Sequence, residues 1–475
     1  MGAGDRADPA GRLMPHRMTG AVLWLLAAAG PVAAAPAESP SYQSVRHDED
    51  YRYLRDTARR TDPFDPIKFI RTSRSREDWF LTLGGEARWR LESFHNEDWD
   101  GANGTDASRL GRAMLLADLH FGPHLRLFTH LKSAFENGRD GGPRPPDEDR
   151  LDLHEAFIDA GLGSTGAPVL RVGRQELSFG SQRLVSIRRG PNVRRSFDGL
   201  RVTARPGAWR LDAFAVRPAE TGAGTFDDGT DDGRTFWGLY AVGPLRLLKG
   251  AHLDLYYLGL DRDAAAFDQG IDQELRESIG MRLWRDSATW DCNFEAVYQW
   301  GRFGSAPIRA WTLASDTGFT FAGVSWKPRL GLKADITSGD RDPADPALES
   351  FNPLFPRGSY FGENQLIGPV NHIDLHPSID LHPHPTLAVS AGWTFFWRQS
   401  LRDGLYDVPG NLVRSGTGTD ARAVGSQPSV TVSWDLNRHL TLVADWEYFL
   451  AGRFLRESGP GENVTFLAGW IEVTF

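Results

Sequence analysis

The sequence predicts an all-β chain: a transmembrane antiparallel β-barrel of about eighteen strands, with short periplasmic turns and long extracellular loops. Three observations predict it. From Trp79 to Phe475, apolar and polar residues alternate in one segment after another. Most segments reach the roughly ten residues that a tilted membrane strand needs, where ordinary strands average about five or six. The connections between them alternate between short and long.

At the start of the chain, Arg12 and Arg17 precede an apolar run over Ala21–Ala29, and small residues follow down to Ala35-Pro36-Ala37. This is the pattern of a secretory signal, so residues 1–37 are expected to be removed on export, with Met14 or Met18 as alternative starts. No later apolar stretch approaches the roughly 20 residues of a membrane helix. Cys292 is the only cysteine, which excludes an internal disulfide. The net charge of -9 argues against a nucleic-acid partner, because phosphate neutralisation needs a basic surface. Residues 38–78 are expected to form a periplasmic N-terminal segment. It has helix-compatible residues over Tyr51–Arg60, and then Pro63 and Pro66, which stop any helix. Its apolar residues are too few for a core.

The barrel is expected over 79–475. Its first strand sets Leu81, Leu83, Gly85, Ala87, Trp89 and Leu91 on one face and Thr82, Glu86, Arg88, Arg90 and Glu92 on the other. Similar segments follow near 108–121, 124–137, 151–161, 168–179, 197–206, 208–217, 234–243, 250–261, 272–285, 288–302, 308–319, 325–337, 368–382, 385–399, 421–435, 438–451 and 462–475. A soluble sandwich would alternate in the same way, but not with so many segments of this length. Trp290, Cys292, Phe294, Ala296 and Tyr298 are expected to meet lipid, and Asp291, Asn293, Glu295 and Gln299 to line a lumen. Leu387, Val389, Ala391, Trp393, Phe395 and Trp397 repeat the pattern, with aromatics gathered at one end as an interfacial girdle requires. Short turns fall at 122–124, 206–207 and 382–385, and long loops at 137–150, 217–234, 338–366 and 399–421.

One loop stands out. Between strands near 168–179 and 197–206, Arg183, Arg188, Arg189, Arg194 and Arg195 bracket Gly190-Pro191-Asn192, a turn that no regular strand contains. A conducting pore needs many weak sites rather than one tight one. Guanidinium groups pair with carboxylates in a bidentate way that lysine does not. Arg88, Arg90, Arg171, Arg201 and Arg205 occupy expected lumen positions, together with the basic loop. Glu86, Glu92, Glu155, Asp198 and Asp212 fall inward or at strand ends, where they can pair with these arginines. The competing reading of each charge is a cross-strand ladder that only holds the barrel in shape.

Four stretches resemble the alginate-export family of outer-membrane porins: GGEARWRLES (Gly84–Ser93), GRQELSFGSQRLVSIRRGPNVRRSFDG (Gly173–Gly199), TSGDRDPADPALESFNPLFPRGSYFG (Thr337–Gly362) and FFWRQSLRDGLYDVPGN (Phe395–Asn411). The resemblance extends from about Tyr51 to Phe475. It implies an outer-membrane channel that passes an anionic polysaccharide, alginate-like and exported, or small acidic solutes. The last strand, with Ile471 and Val473 before Phe475, resembles the signal read by the barrel-assembly machinery. The partners implied are an anionic polysaccharide or small carboxylate solute, outer-membrane lipid, that machinery, and periplasmic export partners.

No cofactor or metal is expected. His372, His376, His382 and His384, with Asp374 and Asp380, show no ligand spacing of a zinc type and read as a wetted lumen face. No G-x-S-x-G or comparable nucleophile motif is present, so the chain does not read as an enzyme. The alternatives are a general or carboxylate-specific uptake porin and, from a different class, an outer-membrane lipid- or glycan-modifying enzyme.

Overall fold

A computed structural model describes residues 40–163, 166–342 and 344–475. The expected signal, 1–37, lies outside the described residues.

The strands of the barrel are β1 (Trp79–His95), β2 (Thr105–Phe121), β3 (Leu125–Asn137), β4 (Asp149–Gly161), β5 (Val169–Gln175), β6 (Phe197–Ala204), β7 (Arg210–Glu220), β8 (Arg234–Pro244), β9 (Ala251–Phe267), β10 (Gly270–Arg285), β11 (Trp290–Phe303), β12 (Ala306–Thr320), β13 (Arg329–Thr337), β14 (His372–His384), β15 (Leu387–Arg398), β16 (Ala423–Asn437), β17 (Leu440–Ala451) and β18 (Val464–Thr474). Each pairs antiparallel with the next. β18 returns to β1, from Glu86 opposite Thr474 to His95 opposite Thr465, and closes an 18-stranded barrel. Closure satisfies every edge amide, as a bilayer requires.

Side chains alternate across the wall as the pleat demands. On β1, Glu86, Arg88, Arg90 and Glu92 are buried inward, while Trp89 and Leu91 stand 51% and 52% exposed on the lipid face. On β11, Trp290, Phe294 and Tyr298 point out, and Asp291, Glu295 and Gln299 are buried inside. The Trp393, Phe395 and Trp397 rings stack in sequence along β15. The connections at one end are short, such as 122–124, 385–386 and 438–439. Those at the other end include 138–148, 176–196, 221–233, 338–371 and 399–422. Two tight hairpins, at 268–269 and 304–305, interrupt the long-loop end.

Two of the long loops, 176–196 and 338–371, fold inward and meet. Val185 bridges Phe355, with the Ser186 amide donating to Phe355 O at 3.0 Å and the Phe355 amide to Leu184 O at 2.9 Å. Their apolar residues Leu177, Phe179, Leu184, Val185, Phe351, Leu354 and Phe355 pack against inward Phe214, Phe236, Tyr240 and Tyr256 from β7, β8 and β9. Part of the interior is therefore a dry core, with hydrophobic burial holding the loops in place.

Residues 40–78 cross the short-turn mouth. The helix-compatible stretch Tyr51–Arg60 forms only a pair of 3-10 turns, and a single helical turn follows at Asp65–Lys68. Ile70 and Arg71 add to the edge of β1 opposite Leu81 and Phe80. The Arg46 guanidinium donates to Gly85 O and Phe475 O, each at 3.0 Å, and so clips the segment to the seam where the barrel closes.

Candidate functional site

The basic loop lies across the lumen, and its backbone is tied to both the wall and the opposite loop. Asn192 Nδ2 donates to Gly111 O on β2 (2.8 Å) and to Phe135 O on β3 (3.1 Å). Arg88 reaches in from β1 to donate to Arg189 O and Pro191 O at 3.1 Å. The Gly190-Pro191-Asn192 turn is thus fastened at the wall, with Arg188 in the left-handed region at φ 51.

Most of the arginines singled out from the sequence end on partners. Arg90 pairs with Glu92 at 2.6 Å and with Glu363 of the second inward loop at 2.5 Å. Arg171 lies bidentate on Asp159 and 3.7 Å from the Phe157 ring centre. Arg183 pairs with Asp335 and donates to the Tyr360 hydroxyl at 2.9 Å. Arg189 meets Glu472 of β18 at 2.5 Å. Arg194 bridges Glu86 (3.3 Å) and Glu176 (2.7 Å), while Arg201 holds Asp212 at 2.8 Å. Glu155 takes His47 at 2.7 Å and His130 at 3.4 Å. Of the inward arginines singled out from the sequence, Arg88, Arg188 and Arg195 have no carboxylate partner among the described residues. Arg188 donates to Val193 O, and Arg195 donates to Pro356 O and lies over the Phe355 ring.

Two residues are not where the sequence put them. Arg205 is exposed in the turn after β6, because Pro206 stops the strand at Ala204. Asp198 sits on the outward face near the long-loop end of β6, paired with Arg174 at 2.8 Å, because its neighbour Phe197 takes the inward position opposite Gln175. Of the histidine group, His372 and Asp374 are buried beside Asp335, and His376 is half-buried in the lumen. His382 and His384 are exposed at the short-turn end rather than on the lumen face, because a register shift between Leu381 and His384 carries the strand into its turn.

The more open wall is elsewhere. On β13 to β16 the inward positions are small or short: Gly331, Ser378, Ser390, Gly392, Ser429, Thr431 and Ser433, all half-buried, with Asp316 and Lys333 beside them. Lys333 comes no nearer than 3.9 Å to a carboxylate. Periodicity alone identifies these positions as inward, but they carry too little chemistry to stand out in the sequence. The inward fold of 338–371 had a readable sign, because Phe351, Leu354 and Phe355 are apolar residues in a loop beyond the lipid-facing strands.

Outside the membrane-spanning strands, Lys68 is buried below the short-turn mouth, 5.0 Å from the Tyr51 ring centre. Burial, reinforced by the Arg46 charge, lowers its ammonium from 10.5 to about 7.

A closed barrel of this size, apolar outside and charged within, is an outer-membrane channel. The chain belongs to the alginate export family, whose profile matches residues 80–466. Its fold is similar to those of outer-membrane porins of the Occ family. Pseudomonas aeruginosa OpdO aligns at TM-score 0.56 and 11% identity, covering 86% of this chain and 98% of that one. Acinetobacter baumannii OccAB4 aligns at TM-score 0.58 and 10% identity over 83% and 98%. Pseudomonas aeruginosa OccK8 (OprE) aligns at 0.56 and 12% over 86% and 99%. At these identities the likeness is one of fold. No curated protein matches the sequence.

Proposed function

We propose that the barrel passes acidic solutes, an anionic polysaccharide of the uronate type or small carboxylates, and that Arg188 and Arg195 of the inward loop are its principal anion contacts. The observation that carries this reading is the surplus guanidinium charge on that loop. Arg88, Arg188 and Arg195 have only carbonyl or aromatic partners, and Arg188 and Arg195 are half-buried rather than sealed off. Inside a low-dielectric lumen such charge favours anions over cations. The paired arginines, Arg90, Arg171, Arg183, Arg189, Arg194 and Arg201, then set the shape of the lumen and the field around those contacts. Planar-bilayer recording under a salt gradient tests this. Arg188→Ser with Arg195→Ser is expected to move the reversal potential toward the unselective value, and the shift should grow as salt falls and screening weakens.

A second reading, uptake of small carboxylates rather than passage of a polymer, is favoured by the Val185–Phe355 bridge, because two loops meeting inside the barrel narrow the way through. Current block by uronate oligomers but not by monomers would favour the polymer. Block by both alike would favour the small solute.

In this reading the outward aromatic and aliphatic belt contacts lipid, the strand ending at Phe475 is read by the assembly machinery, and residues 38–78 lie on the periplasmic side, where export partners would dock. The chain carries out no turnover. Assays against phospholipid and polysaccharide are expected to show none.

A further inference from the structure

A group of titratable side chains beneath the basic loop has no part in the anion contacts proposed above. His47 of the N-terminal segment, Glu155 of β4 and Glu176 of the inward loop converge at the barrel wall, all buried. Each offers one ligand atom, and these atoms lie within 4.8 Å of one another. His47 Nδ1 is 2.7 Å from Glu155 Oε1, and the Glu176 amide donates to the same carboxylate at 3.0 Å.

Two further imidazoles back the carboxylates. His130 Nδ1 lies 3.4 Å from Glu155 Oε2, and His154 Nε2 lies 2.8 Å from Glu176 Oε1. The remaining nitrogens, His130 Nε2 and His154 Nδ1, have no hydrogen-bond partner among the described residues, although both side chains are fully buried. A neutral imidazole that donates through one nitrogen carries a lone pair on the other. Imidazole–carboxylate pairs of this kind recur around metal sites, where one partner orients the other.

The backbone is shaped for the cluster. The register of β4 skips a residue, with His130 opposite Glu155 and Leu131 opposite Leu153, so that the adjacent His154 and Glu155 both turn inward. Such bulges re-aim side chains next to functional sites. Charge points the same way. Glu86, Glu155 and Glu176 are in ion-pair contact with only two guanidinium groups, Arg112 and Arg194, and the Glu155 carboxylate meets imidazoles alone, those of His47 and His130. A buried charge without a counter-charge is costly.

We propose that His47, Glu155 and Glu176 hold a divalent transition metal of the zinc type, fastening the N-terminal segment and the inward loop to the same point on the wall. The mixed nitrogen and carboxylate donors suit zinc, whereas calcium asks for about six to eight oxygens. Glu176 also keeps Arg194 at 2.7 Å, which makes it the weakest of the three ligands.

The test uses the untagged full-length barrel in detergent, stripped with EDTA and titrated calorimetrically with zinc chloride at neutral pH, with calcium chloride in parallel. The expected result is a single zinc per chain, bound about tenfold or more weakly by His47→Ala and by Glu155→Gln, with no comparable calcium binding. His47 lies outside the strands, so heat-modifiable migration on gels should confirm that His47→Ala still forms the barrel. Should Glu155→Gln fail to fold, His47→Ala decides alone. Absence of zinc binding, or equal affinity in His47→Ala, would overturn the assignment.

Discussion

The wall of β1 to β6 and the wall of β13 to β16 use their inward faces in opposite ways. On the first, long charged side chains are spent on one another and on the loop. Arg90 ends on Glu92 and Glu363, Arg171 on Asp159, and Arg201 on Asp212. On the second, the inward residues are short: Ser390 donates to Asp380 and Thr431 to Asp445 on adjacent strands, and Gly331, Ser378, Gly392 and Ser429 stay half-buried without filling the lumen. The difference teaches that charge density in the sequence marks where a lumen is braced, whereas short side chains mark where it stays open.

Separating the two loops should have the largest effect on this contrast. Phe355→Asp places a carboxylate in the buried cluster of Phe197, Phe236 and Val185. We expect conductance to rise severalfold as 338–371 leaves the lumen, measured as single-channel current. Unchanged current would mean that these loops do not limit passage.

Breaking the braced wall should cost stability rather than selectivity. Arg90→Ala leaves Glu363 buried without its cation and Glu92 with Arg144 and Arg139 alone, a loss of about 3–5 kcal/mol by analogy with other buried pairs. Denaturant titration in detergent measures it. Filling the open wall should do the reverse. Ser390→Trp and Ser429→Trp are expected to reduce conductance to about half or less, while the heat-modifiable gel shift stays as in the unaltered protein, since bulk there meets space rather than a packed core.

The smallest expected effect is at the mouth. Lys68 is depressed from 10.5 to about 7 in the folded chain. Between those values the undocked segment binds a proton that the docked one does not, so docking strengthens as pH rises through that window and is weakest below about 7. Protease sensitivity of 40–78 should fall from pH 7 toward 10.5, and Lys68→Met should remove the dependence.

Much of the barrel was legible because a period of two over ten or more residues leaves little choice of face, as in β1 and β11. The interior was less so. Loop 338–371 has no period from which to read a direction, and its Phe355 found its ring partners, Phe197 on β6 and Phe236 on β8, more than a hundred residues away. Alternation also failed locally where the backbone departs from it. The bulge at His154–Glu155 turned two neighbours inward together, and Pro206 ended β6 before Arg205 could enter the lumen. The lone arginines were visible as types but not as unpaired, since pairing depends on contacts such as Arg189 with Glu472, which are remote in sequence.

Reversal potentials of the Arg188→Ser, Arg195→Ser protein, recorded across a salt gradient beside those of Arg90→Ala, test the central claim most directly. If surplus guanidinium charge selects the solute, the first variant loses anion preference and the second keeps it. If both retain the preference of the unaltered channel, or Arg90→Ala alone loses it, the inward loop is not the filter.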